Sequence, residues 1–177
     1  MKKRNLIISA FSLLCMIAMS VVVTACGGSD DPSSDPTDSK VNSVEFTYEM
    51  EFDNQLLSLC NVSVTYTDGN GNSQTEQVTA NEWSKTVRAN AVPATLKRTV
   101  NLTLKSAPVA GSKYDLRIRE GYSYNALNKS GIALLSGSDH SIVAPKGIES
   151  DKLETYITQL NSILTTTYTV KSDGRLE

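Results

Sequence analysis

The residues able to do chemistry in this chain are few, and each sits in a telling context. Cys26 follows Val23, Thr24 and Ala25, so a thiol stands directly after one apolar and two small residues. Sulfur is the strongest ordinary nucleophile at neutral pH, and small neighbours leave the preceding peptide bond accessible. Cys60 lies inside an alternating run instead, on the side expected to face a core, where a thiol behaves as a small apolar group. A catalytic cysteine would want an electropositive, open setting with a histidine beside it. The single histidine, His140, has Asp139 before it and Ser138 and Ser141 nearby. Those are hydrolase residue types, but no nucleophile-elbow glycine pattern accompanies any serine, and one histidine leaves out His-pair metal motifs. His140 therefore reads as a surface residue. Glu45, Glu49 and Glu51 share one strand face, which suits a carboxylate pair for glycoside cleavage or simply a solvated face. Asp68-Gly69-Asn70-Gly71-Asn72 opens like a calcium loop. Ser73 then stands where that loop needs glycine, and Thr79 where it needs a bidentate glutamate, so a hairpin turn is the better reading and no cofactor is expected.

The elements that must position these residues begin with an address. Lys2, Lys3 and Arg4 precede an apolar run from Leu6 to Val23, the layout of an export signal, and long enough to raise the question of a membrane-spanning helix. The ending decides between them. Val23-Thr24-Ala25-Cys26 resembles the lipobox of bacterial lipoproteins. The resemblance implies cleavage before Cys26, a thioether from its sulfur to a diacylglyceryl group, and anchoring by two or three acyl chains, each buried methylene contributing roughly 0.8 kcal/mol. An ordinary secretory signal with an incidental Cys26 is the competing account. Ser29-Asp30-Asp31 resembles the acidic tag that sends Bacteroidetes lipoproteins to the cell surface, against the plainer reading of a soluble tether. The resemblance implies an outer-membrane, surface-exposed protein. The expected organisation is a signal peptide over 1–25, a lipidated cysteine and acidic tether over 26–40, and one domain over 41–177. Gly27 to Lys40 holds no apolar residue and, extended, spans about 45 Å.

The chain holds 17 Lys+Arg and 19 Asp+Glu. Three of the cations leave with the signal, so the mature chain carries fourteen against nineteen, a formal charge of −5. A mildly acidic chain with no basic block lacks the footprint that phosphate backbones require, which excludes nucleic acid as a partner. With Cys26 consumed by lipid, Cys60 has no intramolecular disulfide partner.

Within 41–177 period-2 patterns dominate. Val44, Phe46, Tyr48, Met50 and Phe52 alternate with polar residues, as do Cys60, Val62, Val64 and Tyr66. The turn at Asp68–Asn72 predicts an antiparallel return through Gln74 to Thr79. Trp83, Lys85, Val87 and Ala89 give a further strand. Leu96, Val100, Leu102 and Leu104 give another, with Arg98 on the same face; Tyr114, Leu116 and Ile118 give a sixth. Gly121 to Pro145 is the least regular stretch, with a short strand or buried loop around Ile132 to Leu135. Ser150 can cap a helix whose stripe is Leu153, Tyr156, Ile157, Leu160 and Leu164, followed by a strand over Thr165 to Lys171. The expected fold is mainly β: an antiparallel, Ig-like β-sandwich of about seven strands with one α-helix before the last. A single curled sheet with the helix across its open face is the alternative.

Tyr122 and Tyr124, in the irregular stretch, and Trp83, at a strand start, are the candidate ligand-binding residues. Aromatics on sandwich rims stack sugar rings or grip protein partners, although all three could instead complete the core. The globular part resembles the small sandwich lipoproteins of Bacteroidetes, on its layout and the Tyr66-Thr67-Asp68-Gly69 hairpin entry. The expected function is a non-enzymatic, lipid-anchored binding or interaction module, accessory to outer-membrane uptake or adhesion, whose partner is a glycan or surface protein. The alternative is a glycan-directed surface hydrolase using acidic residues.

Overall fold

The structure, a computed structural model, describes residues 39–177; Cys26 and nearly all of the expected tether lie outside that range. The strictest alternation in the sequence becomes β1 (Ser43–Phe52), whose Val44, Phe46, Tyr48, Met50 and Phe52 are buried. It is followed by α1 (Asn54–Leu59), β2 (Cys60–Thr67), β3 (Ser73–Val78), β4 (Glu82–Ala89), β5 (Ala94–Leu104), β6 (Lys113–Tyr114), β7 (Ile118–Leu127), β8 (Ala133–Val143), β9 (Ile148–Glu149), α2 (Leu153–Ile163) and β10 (Thr165–Val170). Two four-stranded antiparallel sheets, ordered β4-β1-β7-β8 and β10-β5-β2-β3, pack with their apolar faces together; β6 and β9 form a separate two-stranded ribbon. This is the mainly β sandwich with a helix before the last strand that the patterning predicts. Ten strands replace the expected seven, because the ribbon adds two very short ones and the irregular stretch contributes another.

The Asp68 turn is a hairpin. The Asp68 carboxylate accepts the amides of Asn70 and Asn72 at 2.9 Å and the Gln74 side-chain amide at 3.1 Å. Those donors, the Asn72 amide first, hold its pKa below the ordinary carboxylate value. Its oxygens are thus spent on the turn, and β2 and β3 pair in register from Thr67↔Ser73 to Val62↔Val78.

Four expectations need correction. Gly121 to Pro145 is not irregular: it holds most of β7 and all of β8, paired from Ile118↔Val143 to Leu127↔Ala133 with a bulge beside Ala126. Ile132 to Leu135 is neither a buried loop nor a short strand of its own, since all four residues are exposed and the strand continues to Val143. Tyr114 and Ile118 belong to different strands. Ser150 does not cap the last helix: its hydroxyl accepts from Gly111 N–H at 3.1 Å, and Lys152 precedes α2 without a side-chain cap. What holds α2 is its apolar stripe, with Leu153, Ile157, Leu160 and the adjoining Leu164 buried. Asn161 adds a two-point clamp on the β5 backbone, donating to Leu102 O at 2.9 Å and accepting from Leu102 N–H at 2.8 Å. The one-and-a-half-turn helix α1 was not anticipated; Asp53 caps it by accepting from Leu56 N–H at 2.6 Å, and Leu56 fills the core beneath it.

Cys60 lies in the core cluster formed by β1, β2, β5 and α2, 2 % exposed, and burial pushes its thiol up to about 11. A maleimide at neutral pH is expected to leave Cys60 unmodified in the folded chain and to label it in denaturant. Labelling at the same rate in both states would contradict the burial.

Candidate functional site

The two sandwich edges are built differently. At the β3–β4 edge Glu76 gathers three donors: Trp83 Nε1 at 3.0 Å, Lys85 Nζ at 2.6 Å and the Tyr66 hydroxyl at 2.9 Å. Trp83 leans on Tyr66 with centroids 5.6 Å apart, and Lys85 sits 5.5 Å from the same ring centroid. Lys85 and Trp83, in that order, hold the Glu76 carboxyl below its ordinary 4.5. Trp83 is therefore half-buried in a clasp between the sheets, across the sandwich from the two candidate tyrosines.

At the opposite edge β8 extends past β10 and the mouth stays open. Residues directly opposed in an antiparallel ladder share a face, so Glu120, Tyr122 and Tyr124 from β7 and Ser141, Asp139 and Gly137 from β8 all face inward. Of these, Glu120, Tyr122, Asp139 and Ser141 border a cavity of about 160 Å³, together with Gly121, His140 and, from β10, Thr166 and Tyr168; Tyr124 and Gly137 lie beside it. Its aromatic wall is continuous with the core: Tyr122 stacks on Phe46 at 5.7 Å and 12°, and Tyr168 lies 5.0 Å from Tyr122. Tyr124 covers Gly137, where a Cβ would meet its ring at 2.8 Å, so that glycine is what lets the ring lie flat on β8. Both candidate tyrosines are half-buried rather than exposed on a loop. Desolvation first, then the negative charge of Asp139, raises the Tyr122 phenol above its ordinary value.

Behind this mouth lies a fully buried cation. Arg98, reaching inward from β5, is 0 % exposed. Its guanidinium donates to the Gly121 carbonyl at 3.1 Å, to the Glu49 carbonyl and Thr166 Oγ1 at 3.4 Å, and to the Glu120 carboxylate, while Nε has no partner. The other oxygen of Glu120 accepts from the Ser141 hydroxyl at 2.9 Å. Glu120 is thereby a fixed link between the buried cation and the cavity.

The other carboxylates disperse. Glu49 and Glu51 lie on the outer face of the same sheet, bordering a larger groove of about 310 Å³ that Trp83 also lines. Glu51 is tied there to Arg117 at 2.6 Å and Arg119 at 3.7 Å. Asp115 accepts from Gly147 N–H at 2.7 Å. Asp139 and His140 alternate across the sheet: Asp139 faces inward, whereas the His140 Cβ lies 3.4 Å from where a Gly121 Cβ would stand on the outer face. Asp139 takes the His140 backbone N–H at 2.8 Å and does not orient the imidazole, so the Asp-His-Ser combination in the sequence does not assemble. Glu120 and Asp139, two of the titratable residues the sequence offers, do converge on the cavity. Arg98, Thr166 and Tyr168 went unrecognised; an arginine on an otherwise apolar strand face was the available signal for the first. The chain matches no protein-family model and no curated protein.

Two predictions follow from the burial asymmetry of the ion pair and from Glu76. Arg98 is sealed while Glu120 is 23 % exposed, so removing each partner has a different consequence. Glu120→Leu leaves a buried charge uncompensated and should destabilise by about 3–5 kcal/mol in urea unfolding, whereas Arg98→Met frees a carboxylate that water can reach and should cost clearly less. Equal losses would contradict this account. Because the folded Glu76 pKa is depressed, its contribution to stability is present above about 4.5 and lost as pH falls through the folded value. Acid titration of Trp83 fluorescence should show that loss, and Glu76→Gln should flatten it.

Proposed function

We propose that this protein is a lipid-anchored binding module of the bacterial outer membrane, displayed at the cell surface, and that its ligand is a small polyhydroxylated group such as one sugar unit of a glycan. The observation that carries the ligand class is the mouth between β7–β8 and β10. Two tyrosine rings, two carboxylates and the hydroxyls of Ser141 and Thr166 border one cavity there. Rings offer an apolar wall for sugar C–H groups, while carboxylates and hydroxyls accept from and donate to vicinal hydroxyls. Pockets enclosing a drug-sized ligand start at about 300 Å³, so a cavity of about 160 Å³ suits one ring or the end of a chain.

Two features favour binding over the hydrolase alternative. Glycoside cleavage needs a general acid free to exchange its proton, and both oxygens of Glu120 are engaged, one by Arg98 and one by Ser141. His140 lines the cavity too, but its Cβ leaves on the other face of the sheet, beside the position a Gly121 Cβ would take. The address rests on Cys26, its preceding small residues and the acidic Ser29-Asp30-Asp31. No helix of the described residues is long and apolar enough to cross a membrane, and the anchor proposed here is acyl.

The site is tested by glycan-array screening of the full chain in detergent. Asp139→Ala and Tyr122→Ala should each weaken a hit at least tenfold, while Ser84→Ala in the outer groove should leave it unchanged; loss with Ser84→Ala alone would move the site to that groove. The anchor is tested separately by labelling cells with a palmitate analogue. Wild type should take the label and Cys26→Ala should not, and protease added to intact cells should cut the wild-type domain. Labelling of Cys26→Ala, or full protection in intact cells, would sink the anchor or the surface placement respectively.

A further inference from the structure

The open mouth has a second consequence, at the outer margin of β8. A strand at a sheet edge presents a row of unpaired backbone groups, and proteins blunt such rows with charge, proline, short length or a covering segment. Three of the four sandwich edges are managed in this way. β10 is covered by the chain end: Thr169 and Glu177 exchange backbone bonds at 3.1 and 2.9 Å, and Lys171 N–H donates to Arg175 O at 2.8 Å. β3 has six residues and carries Glu76. β4 carries Glu82, Lys85 and Arg88, and the β2–β3 turn lies against it so closely that a Cβ on Gly69 would stand 1.9 Å from the Arg88 carbonyl oxygen.

β8 keeps only the inward-facing charge of Asp139 and a bulge at its start beside Ala126. It is eleven residues long, Ala-Leu-Leu-Ser-Gly-Ser-Asp-His-Ser-Ile-Val, without lysine, arginine, glutamate or proline. Leu134, Leu135 and Ile142 are 37, 40 and 50 % exposed. Asp139 and Ser141 are exposed although they face inward, so the strand projects beyond β10 and the second sheet does not block an approach to its edge.

Which amides face outward is fixed by the ladder. Asn128 N–H donates to Ile132 O, and continuing the alternation through the bulge makes Gly137 and Asp139 the residues bonded to β7. The His140 amide, turned to the Asp139 side chain, agrees with that parity. Ser136, Ser138 and His140 therefore direct their backbone groups away from the molecule.

We propose that β8 pairs antiparallel with β8 of a second copy of this chain, about a two-fold axis through Ser138, joining two four-stranded sheets into one of eight. The sequence is self-complementary about that residue. Asp139 then faces Gly137 of the second copy, His140 faces Ser136, Leu135 faces Ser141, and Leu134 faces Ile142. No like charges stand directly opposite one another, the two Asp139 side chains being diagonal across the Ser138 pair, and apolar residues meet at both ends. Moving the axis one residue toward the N-terminus sets Asp139 against Leu135; one residue the other way sets Asp139 against its own copy. Cross-strand chemistry thus selects a single register among neighbours. The axis runs perpendicular to the sheet, so both cavities open on the same side of the joined sheet, a bivalent arrangement. Edge pairing alone buries less than the roughly 1,200 Å² of a standard interface. Confinement on a membrane would strengthen it; that clause rests on the Cys26 anchor, whereas the pairing does not.

The test is disulfide trapping of the purified full chain in detergent under a mild oxidant, with wild type setting the background from its own cysteines. Ser138→Cys should give covalent dimer at least tenfold faster than wild type. Ser136→Cys and His140→Cys should link poorly alone and readily when mixed, because the register pairs them with each other. Adding Ser138→Pro to both members of that mixture should abolish the link. Its N–H faces away from β7, so the fold keeps every intramolecular ladder bond, which circular dichroism verifies. Dimer no faster than background, Ser136→Cys linking to itself as fast as Ser138→Cys, or a mixed link that survives Ser138→Pro would each overturn the proposal.

Discussion

The constraint on which this sandwich is organised is the burial of one guanidinium between its sheets. Arg98 leaves β5 in one sheet and ends among the carbonyls of Glu49 and Gly121, on β1 and β7 in the other. Taking such a charge out of water costs several kcal/mol, and only a nearby anion with well-placed acceptors offsets it. Glu120 supplies the anion, and it is held between Arg98 and Ser141, so β5, β7 and β8 are all committed to one electrostatic arrangement. The adjacent rings complete the setting. Arg98 lies 6.0 Å from the Tyr168 centroid, and Tyr168, Tyr122 and Phe46 form a wall that keeps water from the charge on the core side. Arg98 thereby ties β5 of one sheet to β1 and β7 of the other at directional contacts.

The same charge explains the difference between the two sandwich edges. At β3–β4 the donors Lys85, Trp83 and Tyr66 converge on Glu76, so the edge closes around a satisfied carboxylate. At β8–β10 the carboxylate is already occupied by a cation from inside, and nothing of opposite charge on β10 draws that strand across. Thr166 and Tyr168 approach with a hydroxyl and a ring instead. The mouth is left as a polar cavity with an aromatic floor, and β8 is left overhanging.

How much of this could be read from the sequence follows from which residues carry a one-sided environment. β1, β2 and β5 each have one buried and one wet face, and their alternation is plain from Val44 to Phe52, Cys60 to Tyr66 and Leu96 to Leu104. α2 shows its stripe for the same reason. β8 is wet on both faces, so its inward residues Gly137, Asp139 and Ser141 are as polar as its outward Ser138 and His140, and the period vanishes. β7 hides its own alternation because Gly121 and Ser123 interleave with tyrosines whose hydroxyl ends reach solvent. The site was legible only in fragments: Tyr122 is on it and Tyr124 beside it, but Trp83 belongs to the clasp, and the pairing of Arg98 with Glu120 spans 22 residues and two sheets. No local pattern encodes such a contact. Ser150 and Asp139-His140 show the converse error, in which local residue type suggests a cap or a dyad that backbone geometry then directs elsewhere.

β8 carries two alternations at once, and together they separate its two surfaces. Side chains alternate between the faces of the sheet, so Asp139 and Ser141 look into the cavity. Amides alternate between the neighbours, and those same odd-numbered residues bond to β7 and are thereby held in place. The even-numbered residues, Ser136, Ser138 and His140, contribute neither a side chain to the inward face nor an amide to β7. The outer margin of β8 and the cavity nevertheless meet at Asp139 and His140, both of which line the cavity, and the Asp139 carboxylate also holds the His140 N–H. A second strand bonding to His140 would release that carboxylate toward the cavity. Asp139 is thus at once a wall of the cavity and the acceptor that satisfies an outward-facing amide, so its rotamer is set by the edge of the sheet as well as by the cavity.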